Sequence, residues 1–99
     1  MSFVTAQPEA LTSAAGDLGS IGAAVVAGNA AAGGPTTGVI PAAADEVSAL
    51  TAVQFAAHAV LYQELSAQAA VIHQQLVDVL GTSAASYAAA EVSNVAAVH

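Results

Sequence analysis

The sequence predicts an all-α protein, a two-helix hairpin that must complete its core against a second protein. Three observations predict this fold class. Apolar residues recur three, four or seven positions apart in two long segments, as on packed helices. One stretch rich in glycine and proline separates the two segments. Each segment is apolar on more than one side, which is more surface than two helices can cover for each other.

Helix one is predicted at about residues 8–32. Pro8 and Glu9 suit a first helical turn. Backbone N–H groups there have no partner within the helix, so the missing N–H of proline costs nothing, and the carboxylate of Glu9 lies at the positive end of the helix dipole. Two stripes follow, one at heptad spacing and one of small residues four apart. They are Leu11, Ala14, Leu18, Ile21 and Val25, and then Ala15, Gly19, Ala23, Ala27 and Ala31.

The connection is predicted at about 33–44 and helix two at about 45–80. Asp45 is a suitable N-cap for helix two, with Glu46 in its first turn. One apolar stripe of this helix is Val47, Leu50, Ala57, Leu61, Leu65, Ile72, Leu76 and Val79, and a second face carries Phe55, Tyr62, Ala69 and Leu80. Gly81 is predicted to end or kink the helix, which leaves a frayed tail at 81–99.

Composition excludes several classes of partner. The chain has 99 residues, one domain's worth, and 28 of them are alanine, which buries little area per side chain and makes a thin core. It has no Lys or Arg and a formal net charge of −7. Such a chain repels nucleic acid and anionic lipid. There is no cysteine, and we expect neither a cleavable signal peptide nor a transmembrane span.

The candidate chemical residues do not converge on a catalytic site. His58 and Tyr62 lie four apart on helix two, whereas His73 is about 22 Å from His58 along the axis. There is no HExxH arrangement or G-x-S-x-G context, and the glycine-rich connection lacks the Lys-Ser/Thr of a phosphate loop. We therefore expect no enzyme activity, no metal and no cofactor, and interpret His58 and Tyr62 as interface residues.

Tyr87 and Glu91 form the remaining candidate motif. Four-residue spacing on a helix places the phenol and the carboxylate side by side, where another protein can read them if the tail projects. Without further context an incidental surface pair is the better explanation, because an acid often lies four residues after a tyrosine by chance.

The chain resembles the PE family of mycobacteria over essentially its whole length. The resemblance is carried by the opening MSFV, the pair Pro8-Glu9, the connection PTTGVIPAAADEVSAL and the carboxy-terminal Tyr-x-x-x-Glu. It implies an antiparallel hairpin that joins the two long helices of a PPE-family protein in a four-helix bundle, as a 1:1 heterodimer. It also implies export by a type VII (ESX-type) secretion system, with an EspG-type chaperone bound through the PPE subunit in the cytoplasm beforehand.

The same resemblance assigns Tyr87 and Glu91 to the secretion signal and places the exported pair in the cell envelope, at the cell surface or outside the cell. We expect eleven apolar residues to form contacts within the hairpin and with the partner: Leu11, Leu18, Ile21, Val25, Leu50, Phe55, Leu61, Tyr62, Leu65, Ile72 and Leu76. Two rival interpretations stay open, a self-associating structural hairpin without a PPE partner and a small hydrolase or metal protein.

Overall fold

The protein, seen here in a computed structural model that describes residues 6–98, consists of two α-helices joined by one connection. Helix α1 spans Pro8–Thr37 and helix α2 spans Glu46–Ala97. No strand occurs among the residues described. The predicted all-α helical hairpin is therefore confirmed, whereas the bundle with a partner stays a prediction.

Helix α1 begins where its first turn was predicted. Pro8 is its first residue, and the carbonyl oxygen of Gln7 accepts from the amides of Ala10 and Leu11 at 3.0 and 3.4 Å. Glu9 lies in the first turn, where its carboxylate meets the positive end of the dipole. The opening MSFV, which contributes to the family resemblance, lies outside the described residues.

The predicted end of helix one near residue 32 is wrong, because α1 continues through both glycines and Pro35 to Thr37. Pro35 has no N–H to donate to the carbonyl of Ala31, so the helix passes it with one backbone hydrogen bond fewer. The hydroxyl of Thr37 donates to the carbonyl of Gly33 at 2.6 Å, and the Gly38 amide donates to Gly34 at 3.0 Å. The second bond satisfies the carbonyl of Gly34, one of the last four residues of the helix, whose carbonyls lack partners within it.

Asp45 is the N-cap of α2, as predicted. Its carboxylate accepts from the backbone amide of Ser48 at 2.8 Å and from the Ser48 hydroxyl at 3.1 Å, while its carbonyl accepts the Ala49 amide at 3.1 Å. The donated backbone bond and then the hydroxyl bond hold the pKa of Asp45 below its ordinary value. The connection is accordingly shorter than predicted and covers residues 38–45.

The predicted end of helix two near residue 80 is also wrong. Helix α2 passes through Gly81 and continues to Ala97, so the segment 81–97 is helical rather than a tail. One glycine costs about 1 kcal/mol relative to alanine inside a helix. The sequence that follows is rich in alanine, the residue with the highest helix propensity, which offsets that cost.

The chain divides into two compact units, each made from a piece of both helices. We call residues 22–72 the loop unit, and residues up to 21 together with those from 73 onward the terminal unit. In the terminal unit Ala6 contacts Glu91 and Leu18 contacts His73, so the two segments run antiparallel. In the loop unit the connection itself reverses the chain, and Asn29 contacts both Tyr62 and Gln63.

Helix α1 is long and apolar enough to cross a membrane by length and composition alone. This is weak evidence, because core helices of soluble proteins and N-terminal signal sequences meet the same criterion. The expectation that the chain has no transmembrane span accordingly stays a prediction.

Candidate partner-binding surface and export motif

The side chains of α2 that are least exposed in the loop unit are small or polar. They repeat at spacings of three or four residues, the pattern of a helix packed along another helix. We call them the inner stripe: Ser48, Ala52, Ala56, Ala59, Gln63, Ser66 and Ala70. Of these only Ala52 is buried outright, with 6% of its surface exposed. The helices of this unit therefore pack through residues that bury little apolar area.

Asn29 of α1 is the main polar contact of the inner stripe. The side-chain amide of Gln63 donates to its backbone carbonyl at 2.9 Å, and the hydroxyl of Tyr62 donates to its Oδ1 at 2.7 Å. A Cβ placed on Gly33 would lie 3.8 Å from the Gln63 amide nitrogen, an ordinary contact distance. The polar tip of Tyr62 is thus bonded within the chain, whereas the rest of its side chain is exposed.

The bulky apolar side chains lie outside this packing. Nine of the eleven predicted contact residues are exposed: Ile21, Val25, Leu50, Phe55, Leu61, Tyr62, Leu65, Ile72 and Leu76. Leu65 and Ile72 expose 63% and 65% of their surface. Only Leu11 and Leu18 are half-buried, both in the terminal unit beside the buried Ala15. Most of the predicted set is therefore available to something other than the partner helix of the hairpin.

Further exposed apolar residues were not singled out from the sequence. On the two helices they are Val26, Val53, Val60, Val71, Val92 and Val95. Their signal was present, since Val53 and Val60 are seven residues apart, but a helix with apolar residues on several sides offers several such stripes. The exposed apolar surface is consequently larger than the eleven residues indicated.

The apolar surface of α2 in the loop unit has little charge on it. Between Val47 and Ile72 the only acid is Glu64, which is six residues from His58 and so lies on a different side of the helix. An open groove beside the start of α2 is lined by Val47, Leu50, Thr51, Gln54, Phe55 and His58. Among the described residues no group of three or more His, Asp or Glu is placed to hold a metal ion. The chemistry of this surface is that of apolar contact.

The predicted export motif lies near the end of α2, in the terminal unit. Tyr87 is 51% exposed, as expected of a residue that another protein reads. Glu91 differs from that expectation, because it is half-buried and its Oε1 accepts a hydrogen bond from the backbone amide of Ala6 at 3.3 Å. The structure therefore gives the two residues of the motif different surroundings.

His73 occupies the inner side of α2 in the same unit. Its Nε2 lies 2.6 Å from the carbonyl oxygen of Leu18, and since a carbonyl only accepts, Nε2 carries the proton. Leu18 lies inside α1 and is itself half-buried. His73 thus serves as a helix-to-helix contact.

Comparison with known proteins identifies relatives over the whole described hairpin. The sequence model of the PE family matches residues 4–94. The PE family protein PE13 of Mycobacterium tuberculosis is 66% identical over 97 residues, which is 98% of this chain and 98% of that protein.

Other relatives from the same organism are much longer than this chain. The PE-PGRS family protein PE_PGRS8 is 53% identical over 99% of this chain, which is 56% of its own length. The PE family protein PE8 is 52% identical over 95% of this chain, and the match covers 34% of PE8. The hairpin is therefore a unit that occurs nearly alone in PE13 and as one part of larger proteins elsewhere.

Proposed function

The chain belongs to the PE family, and on that premise we propose that it is the PE subunit of a secreted PE/PPE heterodimer. A type VII (ESX-type) secretion system exports the pair, which acts outside the cytoplasm at the cell envelope or in contact with a host. Its role is binding rather than catalysis, and it takes no cofactor.

The observation that carries this proposal is the exposure of the bulky apolar side chains. Full burial of one Leu, Ile, Val or Phe side chain stabilises a protein by about 1.5–3 kcal/mol. The nine exposed residues of the predicted set keep half or more of their surface in water, apart from Leu76 at just under half. A chain of this kind gains most of its apolar stabilisation only when a second protein covers it.

A pair of helices from a PPE protein suits this surface. Exposed apolar residues occur on both helices of the hairpin, for example Val25 on α1 and Leu65 on α2. Two further helices packed alongside would cover both, as in a four-helix bundle. Because the chain has no Lys or Arg, any salt bridge between such a side chain and one of its seven acids must use a Lys or Arg of the partner.

The export assignment rests on Tyr87 and Glu91. Tyr87 is exposed near the end of α2, where a secretion component has access to its ring and hydroxyl. The chaperone of this pathway binds through the PPE subunit, so the hairpin needs no chaperone site of its own. The heterodimer is cytoplasmic with its chaperone before export.

A homodimer of two hairpins is the second candidate, because a second copy would also cover the exposed residues. Charge disfavours it. Each copy carries a formal −7 with no Lys or Arg, so association doubles the net charge without forming a single Lys or Arg ion pair.

Co-expression tests the proposal. We expect the chain alone to be insoluble or poorly ordered, and expression together with its PPE partner, identified by pull-down from native cells, to give a soluble 1:1 complex. Light scattering on the lone chain distinguishes the homodimer, which would be stable without help. A lone monomer that unfolds cooperatively would contradict the need for a partner.

A further inference from the structure

The hydrogen bond between Ala6 and Glu91 joins residues 85 positions apart. Ala6 lies two residues before the start of α1, and Glu91 lies in the last turns of α2. The bond is partly buried, and both residues belong to the terminal unit. It ties the segment that leads into one helix to the end of the other.

The partners in this bond suit one another electrostatically. The Ala6 amide lies just before the helix, and the nearby helix start carries a partial positive charge that attracts anions. Gln7 already serves the first turn through its carbonyl, which accepts from Ala10 and Leu11. The Glu91 carboxylate adds a charged acceptor one residue earlier, supplied from the other helix. A bond to a charged acceptor is stronger than one between neutral groups.

We propose that Glu91 is a positioning residue, whose carboxylate holds the segment before α1 against the end of α2 and thereby fixes the surroundings in which Tyr87 is presented. Tyr87 is the residue that is read. The motif thus divides into one residue for recognition and one for local structure. This inference rests on the proposed function for its consequence in export, but the bond itself can be tested without export.

The structural test uses hydrogen exchange at the Ala6 amide, on the full chain in the assembly in which it purifies. Glu91→Ala removes the acceptor, and we expect exchange at Ala6 to become about tenfold faster, the lower range for a hydrogen bond to a charged group. Glu91→Gln keeps an acceptor oxygen of the same reach without the charge, so part of the protection is retained. Tyr87→Ala leaves it unchanged. Equal exchange at Ala6 in the wild type and Glu91→Ala overturns the inference.

The export test removes the donor of the hydrogen bond, the Ala6 amide, instead of its acceptor. Ala6→Pro removes the donor N–H while the Tyr-x-x-x-Glu motif stays intact, and Ala6→Gly keeps the N–H as the matched control. We expect Ala6→Pro to lower secretion to the level of Glu91→Ala, while Ala6→Gly and Glu91→Gln are secreted normally. Unchanged protection at Leu11 verifies that α1 still begins correctly.

The outcomes separate the inference from the proposed function. If Ala6→Pro is secreted normally and Glu91→Ala is not, the secretion machinery reads the carboxylate itself and the positioning role is wrong. Loss of secretion with Glu91→Gln despite a protected Ala6 amide leads to the same conclusion. If Tyr87→Ala is secreted normally as well, the export function fails, while the exchange at Ala6 still decides whether Glu91 holds the segment.

Discussion

Truncation of Leu65 and Ile72 should weaken the heterodimer without disturbing the hairpin. The two residues expose 63% and 65% of their surface, so about two thirds of the 1.5–3 kcal/mol available from full burial remains to be gained on binding. Each change to alanine then costs about 1–2 kcal/mol of binding free energy. The residues are one heptad apart, about 10 Å along α2, so their effects add to about 2–4 kcal/mol. This corresponds to a Kd about 30- to 1000-fold higher for the double variant.

Competition provides the assay. Unlabelled Leu65→Ala/Ile72→Ala chain competes with labelled wild-type chain for the PPE partner, and circular dichroism reports the helical content of each complex. Gln74→Ala changes an exposed polar residue on the opposite side of α2 from Leu65, so it is the matched control and should compete like the wild type. If the double variant competes as well as Gln74→Ala, this surface is not where the partner binds. If its helical content falls instead, Leu65 and Ile72 support the hairpin itself.

Four further outcomes follow from the same structure. Ala52→Leu overfills the buried inner stripe and should destabilise the complex by about 1–3 kcal/mol, seen as a lower midpoint of thermal unfolding. Gly28→Ala places a Cβ in open space within the chain and should stabilise α1 by up to about 1 kcal/mol in the same measurement, whereas a loss would show that a partner backbone covers Gly28. The hydrogen bond from the Ser48 amide to the Asp45 carboxylate is present above the ordinary carboxyl pKa of 3.8 and is lost as the pH falls through the lowered pKa of Asp45. Amide exchange at Ser48, corrected for its intrinsic pH dependence, should therefore lose protection only in that acidic range. Loss of protection nearer neutral pH would contradict this. Tyr87→Ala should leave the heterodimer assembled inside the cell and block its appearance outside, as judged by fractionation; normal secretion would remove the motif's role.

Local chemistry in the sequence is sufficient to predict where the helices begin. Pro8 and Asp45 act through bonds to residues within one turn, so their roles can be derived without knowledge of the rest of the fold. The helix ends could not be predicted in the same way. Pro35 and Gly81 are unfavourable by propensity, by about 3 and about 1 kcal/mol relative to alanine, but the packing of a helix can override the propensity of a single residue.

The sequence does not determine which side of each helix packs inward. On α2 the stripe through Ala52 and Ala59 and the stripe through Leu65 and Ile72 both have heptad spacing, so periodicity alone does not choose between them. Burial in the structure selects the small residues, which allow two backbones to approach closely. The export motif shows the same limit, since the spacing of Tyr87 and Glu91 does not reveal the contact with Ala6.

The alanines and serines of the inner stripe specify poorly which residues of the two helices lie opposite each other, because one small residue packs much like the next. Polar contacts remove that ambiguity. In the loop unit Gln63 donates to the backbone of Asn29, and in the terminal unit His73 donates to the backbone of Leu18. A slipped register would leave these half-buried groups without partners, at about 1–3 kcal/mol for each fully buried group. The hairpin therefore fixes its alignment through a few polar contacts, which leaves its bulky apolar residues to determine whether, and with what, it associates.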